Sequence, residues 1–78
     1  LGSDRSSVSL AKLTGVIHSG GIALALVETS DGIGYILKPG DTLADGRLLE
    51  IGPNMVVFSI APKPGATTNR VVLKLASD

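Results

Sequence analysis

The sequence predicts an all-β domain, a small six- to seven-stranded antiparallel β-sandwich or partly open barrel. Aliphatic runs of five to eight residues alternate with clusters of glycine, proline, aspartate, asparagine and serine, which is typical of short strands joined by turns. The best helical candidate, residues 7–13, is too short to be more than a fragment. Because 44% of the chain is hydrophobic and only 3% is aromatic, we expect Val, Ile, Leu and Ala to fill the core.

The first three strands should form a meander. We predict strands at Leu13–His18, Ile22–Thr29 and Ile33–Lys38. The glycines of Ser19–Gly21 supply the positive φ angles of a hairpin, and Ser30–Gly32 provides the second turn because Asp and Gly tolerate left-handed backbone. The second strand is apolar on both faces until its acidic end, so we expect it to be central or covered.

The second half of the chain should begin with a loop, because proline lacks a backbone donor and the following glycine can complete a type II turn. The predicted elements in order are a loop at Pro39–Gly46, a strand at Arg47–Ile51, a turn at Gly52–Asn54, a strand at Met55–Ala61, a long connection at Pro62–Asn69 and a strand at Arg70–Leu75. Alternation in the last strand predicts that Val71, Leu73 and Leu75 point inward.

The length allows one domain, which buries only roughly 60% of the surface of the unfolded chain. We expect residues 12–76 to form it. The polar opening, residues 1–11, reads as a disordered linker that includes a cloning remnant, so that a membrane anchor would lie outside this segment.

Charge and composition exclude several classes of function. Seven basic residues balance seven acidic ones, so no net field attracts nucleic acid or an anionic membrane. The absence of cysteine and the single histidine argue against a metal site, and we expect no cofactor. The longest apolar run, 21–27, is far shorter than the roughly 20 residues that cross a bilayer.

Four titratable residues are the obvious candidates for chemistry. Asp31, Asp41 and Asp45 each lie near a glycine, where aspartate usually accepts backbone hydrogen bonds in a turn. His18 ends the predicted first strand. The main alternatives for this residue are a structural role, an exposed position without a role, and a contact with a partner. Because no nucleophile, base and orienting group occur together, the sequence predicts a non-catalytic protein.

The order of the strand segments resembles a known family. The segments are GVI, ALALVE, GYILKPGD, GRLLEI and VVFSI within Leu13–Ile60, followed by the closing RVVLKL. They are similar to the periplasmic β domain of PilP, the inner-membrane lipoprotein of type IV pilus machines, and to the homology region of GspC in type II secretion systems. The glycine-rich DGIGY segment favours PilP, whereas the compact TLADGR segment departs from its usual pattern.

This resemblance implies a scaffold. Its members sit in the periplasm, are anchored to the inner membrane, and dock the N-terminal periplasmic domain of an outer-membrane secretin. PilP relatives also bind the PilN and PilO platform proteins through a region N-terminal to this domain. The docking region of the family corresponds here to Thr14, Val16, Ile17 and His18 on an edge strand, with Arg47 as a flanking charge. Either Val16 or Ile17 must still point into the core, because neighbouring strand residues face opposite ways.

Three other functions remain open at this point. The chain could be a GspC-type homology region, a small barrel that binds a ligand or nucleic acid, or an accessory β domain of an enzyme. A single-stranded oligonucleotide titration at low salt separates the second from the others.

Overall fold

The protein consists of two antiparallel sheets, one of three strands and one of four, in a computed structural model that describes residues 8–60 and 69–75. The all-β prediction is confirmed, with seven strands and no closed barrel. The strands are β1 (Lys12–Ser19), β2 (Ile22–Glu28), β3 (Gly34–Leu37), β4 (Thr42–Leu43), β5 (Gly46–Ile51), β6 (Met55–Ile60) and β7 (Arg70–Lys74).

The first sheet is the predicted meander, in the order β1-β2-β3. Gly20 and Gly21 form the two-residue loop between β1 and β2 with φ angles of 58° and 84°, which side chains other than glycine rarely adopt. Strand β2 is central, as expected, with β1 and β3 at its two edges. Its inner face packs into the core through Ala25 and Val27, whereas neither sheet covers its outer face.

A β-bulge at Thr14 changes which residues of β1 face the core. Leu13 pairs with Val27, but the next paired residue is Gly15, opposite Leu26. The extra residue shifts the alternation by one, so that Val16 joins Leu13 on the inner face. The Thr14 hydroxyl donates a hydrogen bond to the Leu26 carbonyl at 3.0 Å, which gives the bulge a partner for its side chain.

The second sheet has the order β4-β5-β6-β7 and follows a proline-glycine turn. Gly40 has a φ of 99°, and the Asp41 N–H donates to the Lys38 carbonyl at 3.0 Å, as expected for a type II turn after Pro39. The short strand β4 lies in the segment predicted as a loop. The prediction missed it because two residues are too few to show alternation.

The core lies between the two sheets and is entirely apolar among the described residues. Its side chains come from both sheets and from a 3-10 helix at Val8–Leu10: Val8, Leu13, Ala25, Val27, Leu37, Leu43, Leu48, Val56, Phe58 and Leu73. Phe58, the single phenylalanine, is fully buried. No helix among the described residues has the length and apolar character needed to cross a bilayer.

The N-terminal boundary differs from the prediction. The linker was predicted to extend to residue 11, but Val8 is only 1% exposed and belongs to the core. The segment 7–13 was the best helical candidate, and the 3-10 helix Val8–Leu10 lies within it, but so short a segment did not indicate that Val8 would be buried. The remaining predicted linker residues, 1–7, and residues 61–68 and 76 of the predicted elements lie outside the described part of the chain.

One bridge joins the two sheets at their edges. Leu13 of β1 forms a parallel bridge to Leu75, just after β7, and the Leu75 N–H donates to the Asn54 carbonyl at 2.7 Å. In β7 itself, Val71 and Leu73 face the core while Val72 is half exposed, which confirms the predicted inward face. The edges β1 and β7 therefore adjoin, whereas β3 and β4 are the outermost strands of the series.

Candidate functional site

The outer face of the first sheet carries a contiguous aliphatic surface. In the strand register Ile17 pairs with Leu24, and Leu26 pairs with Ile36, while Ile22 pairs with Ser19 at the hairpin end. Ile17, Ile22 and Ile36 are 43%, 61% and 66% exposed, and the two leucines are half buried. We call these five residues, Ile17, Ile22, Leu24, Leu26 and Ile36, the aliphatic face.

The outer face of the second sheet is different in chemistry. Ser59 pairs with Arg47 on one side and Arg70 on the other, so two cations flank it in one row. A glutamate and a lysine, Glu50 and Lys74, lie on the same face. Met55, Val57 and Val72 share this face with the charges, so the outer face of the second sheet is mixed in character.

The hydrogen-bond pattern of the first sheet shows which backbone N–H and C=O groups of its edge strands point away from β2. The Thr29 N–H donates to the Ile33 carbonyl at 2.9 Å, which marks this position as a hydrogen-bonded pair. Hydrogen-bonded and non-hydrogen-bonded pairs alternate in an antiparallel ladder. Gly34 and Ile36 of β3 therefore direct their N–H and C=O groups away from β2, and the same alternation turns the backbone groups of Val16 and His18 outward along β1.

The residues predicted to bind a partner on β1 divide between the two faces of the sheet. Strand β1 is an edge strand, as predicted. Ile17 points outward within the aliphatic face, whereas Val16 is half buried and packs against the core. The hydroxyl of Thr14 is engaged within the bulge. Of these three side chains, Ile17 is the one that a partner could bury.

His18 and Arg47 lie away from this surface. His18 pairs with Ala23 on the inner side of the sheet, and its Nε2 lies 3.4 Å from the Gly52 carbonyl, to which it can only donate. Arg47 belongs to the other sheet and extends from its outer face. The sequence resemblance grouped these residues, but the topology does not bring Arg47 to the β1 edge.

Each of the three predicted turn aspartates accepts a hydrogen bond at a turn. Asp31 accepts one from the Thr29 hydroxyl, which lowers the pKa of that carboxyl below its ordinary value. Asp41 accepts one from the Lys38 N–H at 3.0 Å, which lowers its pKa, and the Lys38 ammonium lies 3.3 Å away. Asp45 accepts the Val8 N–H at 2.8 Å. No acidic or histidine cluster suited to a metal occurs among the described residues.

A shallow, open depression of about 390 Å³ lies at the β4–β5 turn. Its polar lining consists of Thr42, Asp45, Arg47, Ser59 and Asn69. The only histidine of the chain lies against Gly52, at the opposite end of β5, so no imidazole is available as a base in this depression. Asp45 is already committed to the Val8 N–H.

Sequence reasoning missed the aliphatic face because it followed β1 alone. The face is built mainly by β2 and β3, and the signal for it was the second apolar side of β2, whose outward residues are Ile22, Leu24 and Leu26. No protein-family model and no curated protein matches this chain.

Proposed function

We propose that this domain is a non-catalytic docking module that binds the N-terminal periplasmic domain of an outer-membrane secretin. The resemblance to the PilP and GspC domains supplies the identity of the partner. The observation that carries the docking function is the aliphatic face, which no other described part of the chain covers.

Burial of this face would contribute to binding without any catalytic group. Isolated exposed aliphatic residues are normal, but a contiguous patch on a small monomer marks a contact surface. Each aliphatic side chain that becomes fully buried contributes about 1.5–3 kcal/mol before the costs of association. Three half-exposed isoleucines and two leucines therefore suit a modest interface, of less than about 1,200 Å², rather than a permanent one.

The balanced charge supports a protein partner over a nucleic acid. The chain has equal numbers of acidic and basic residues. Among the described residues, Arg47 and Arg70 lie on the other sheet, and Lys12, on the outer face of the first sheet, pairs in register with Glu28. A nucleic-acid surface needs cations along the phosphate track and aromatic rings for the bases. The aliphatic face offers neither.

The test is an NMR titration of the labelled chain with secretin N-terminal domains from both pilus and type II secretion systems. We expect amide shifts concentrated in β1, β2 and β3. The type of secretin that binds more tightly separates a PilP-like role in pilus assembly from a GspC-like role. Absence of any shift at millimolar concentration of both domains contradicts the proposal.

A matched pair of variants locates the contact. Ile22→Glu places a charge on the aliphatic face, and Val72→Glu places one at an aliphatic residue of comparable exposure on the other sheet. We expect Ile22→Glu to weaken binding by about tenfold or more, because the charge must be desolvated on docking. Equal effects of the two substitutions would show that the aliphatic face is not the docking surface.

We also propose that the domain works in the periplasm, held by an inner-membrane anchor in the full-length protein and joined to PilN- and PilO-like platform proteins. The 78 residues contain no cysteine, so Val72→Cys adds one thiol to this domain, and the full-length protein without the substitution gives the background labelling. A membrane-impermeant maleimide should label this thiol in cells whose outer membrane alone is permeabilised. Labelling that requires lysis of the inner membrane contradicts the periplasmic location.

A further inference from the structure

Three of the four edge strands carry features that discourage pairing with another chain. Edges are commonly blocked by charges, bulges, short length or cover. Strand β1 has a bulge at Thr14 and begins with Lys12, and its start is joined to Leu75. Strand β4 is two residues long, and β7 carries a cation at each end, Arg70 and Lys74.

Strand β3 is four residues long and has no charge or bulge within Gly34–Leu37 and no covering segment among the described residues. Its sequence is Gly-Tyr-Ile-Leu, and its register with β2 is regular from Gly34 to Leu37. Ile33, Tyr35 and Ile36 are each more than one third exposed. An exposed, regular and uncharged edge is a template for strand addition.

The backbone and the side chains of this edge point to the same mode of binding. Gly34 and Ile36 direct their N–H and C=O groups outward, as derived from the ladder above. A strand added there would continue the sheet, and its residues on one side would extend the aliphatic face beyond Ile36. Those residues would pack against Ile36, whose other neighbour in the register is Leu26 of β2.

Two charges near the ends of β3 define the polarity of a strand that is added antiparallel to it. Glu28 of β2 lies between Lys12 of β1 and Gly34 of β3, and Gly34 has no side chain to cover it. No ion pair of Glu28 occurs within the described residues. Lys38 follows the other end, with an ammonium group that remains mostly exposed beside Asp41. A strand running antiparallel to β3 meets Lys38 first and Glu28 last. Its complementary charges are therefore an acidic N-terminal end and a basic C-terminal end.

We propose that β3 is the edge at which a partner protein adds a strand, and that this strand is apolar on alternate residues, acidic at its N-terminal end and basic at its C-terminal end. The inference rests on the docking function proposed above and names β3, rather than the β1 edge suggested by the family resemblance. The partner would then form main-chain hydrogen bonds with β3 in addition to its contact with the aliphatic face.

The direct test uses two synthetic peptides of the same composition, EVTVTVK and KVTVTVE. We expect the first to bind the chain about threefold more tightly, because its end charges oppose those of β3. On binding, the amide hydrogens of Gly34 and Ile36 should become protected from exchange, since they are the donors of the new ladder. Protection at Val16 and His18 without protection at Gly34 and Ile36 would assign the site to β1 and overturn the inference.

A proline substitution tests the main-chain bond separately. Gly34→Pro removes an outward N–H, and Gly34→Ala keeps it. A Cβ at this position meets no atom within 4 Å, so alanine has room, and the amide spectrum of Gly34→Pro checks that β2 and β3 remain paired. We expect Gly34→Pro to weaken peptide binding about tenfold relative to Gly34→Ala. His18→Pro removes an outward N–H of β1 and should leave the affinity unchanged.

The same variants distinguish failure of this inference from failure of the proposed function. If a secretin domain binds Gly34→Pro as tightly as Gly34→Ala, the role of β3 is contradicted and docking itself stands. If EVTVTVK protects Gly34 and Ile36 while no secretin domain binds, the strand-addition edge stands and the secretin assignment is contradicted. Protection of the same amides in the protein alone, rising with its concentration, would identify the occupant as a second copy and overturn the proposal.

Discussion

The carboxylate of Asp45 accepts a hydrogen bond from the backbone N–H of Val8 at 2.8 Å, across 37 positions of the chain. The donor opens the 3-10 helix, where the first N–H groups have no partner within the helix. Asp45 lies in the turn between β4 and β5, so one side chain fixes the N-terminal segment to the second sheet. This contact places the Val8 side chain in the core, where it is 1% exposed.

We expect Asp45→Ala to lower the free energy of unfolding by about 1 kcal/mol, the usual cost of losing a side-chain cap. Asp45→Asn keeps an acceptor oxygen and should lose less than half of that amount. Urea unfolding followed by circular dichroism measures both. A loss for Asp45→Asn as large as that for Asp45→Ala would mean that the charge, and not the hydrogen bond, fixes the segment.

Gly46 lies so close to the core that even a methyl group would collide with it. A Cβ at this position would lie 2.9 Å from Val8 Cγ1 and 3.3 Å from Phe58 Cδ2. We expect Gly46→Ala to destabilise the protein by about 1–3 kcal/mol, as overpacked cores do.

Gly34→Ala is the matched control for this overpacking, since its Cβ meets no atom within 4 Å. It should change the stability by less than about 0.5 kcal/mol. In a double-mutant cycle, Val8→Ala should cost less in the Gly46→Ala background than in the wild type, because the two side chains compete for one space. Strict additivity in thermal unfolding would contradict this packing.

Ala44 adopts a φ of 55°, the only positive value at a residue other than glycine among those described. It is the first of the two residues that join β4 to β5, where a hairpin turn of type II′ requires a positive φ. We expect Ala44→Gly to raise the stability by up to about 1 kcal/mol, because relief of the strain exceeds the added freedom of the unfolded chain.

Ala44→Val is the opposing variant at this turn, since a β-branched side chain tolerates a positive φ poorly. We expect it to lower the midpoint of urea unfolding, while Ala44→Gly raises it. If both substitutions lower the midpoint, the left-handed backbone at this position is not a source of strain.

The turn aspartates make stability depend on pH in the acid range. The Lys38 N–H bonds to Asp41 and holds the pKa of that carboxyl below its ordinary value. A group with a lowered folded pKa contributes stability that is fully present above its unfolded pKa, about 3.9, and is lost as the pH falls through the folded value. We therefore expect the wild type to lose more stability than Asp41→Asn between about pH 5 and pH 2.

Carboxyl carbon shifts measured by NMR should place the titration of Asp41, and that of Asp31, below the titration of an aspartate in an unstructured peptide. Asp31 titrates low because the Thr29 hydroxyl bonds to its ionised form. Thr29→Val removes this donor and should return the Asp31 pKa towards its ordinary value. An unchanged Asp31 titration in this variant would contradict the assignment of the cause.

Local signals in the sequence were sufficient for most of the fold. Paired glycines at Gly20 and Gly21, and the proline-glycine pair at Pro39 and Gly40, dictate their turns through backbone conformation, which acts over a few residues. The inward face of the last strand followed from alternation alone. The predicted ends of the first three strands differ from the observed ones by at most one residue.

Features that depend on distant contacts could not be read in the same way. Val8 lies in a helical fragment too short to indicate burial, and its N–H is held by Asp45, 37 positions away. The bulge at Thr14 decides which of Val16 and Ile17 faces outward. The sequence of β1 alone does not indicate that the strand contains an extra residue. That Arg47 lies in the other sheet from β1 could not be read from the sequence for a related reason, since sheet membership is set by the pairing of whole strands.

The parallel bridge between Leu13 and Leu75 has a consequence for folding of the protein. The meander of the first sheet is made first and can pair its strands as it leaves the ribosome, but its neighbour at Leu13 is almost the last residue described. Loop-closure entropy opposes a contact between residues so far apart in sequence. The bridge should therefore form late in refolding, after the meander has paired its own strands, and the rate of the last refolding phase should report the joining of the two sheet edges.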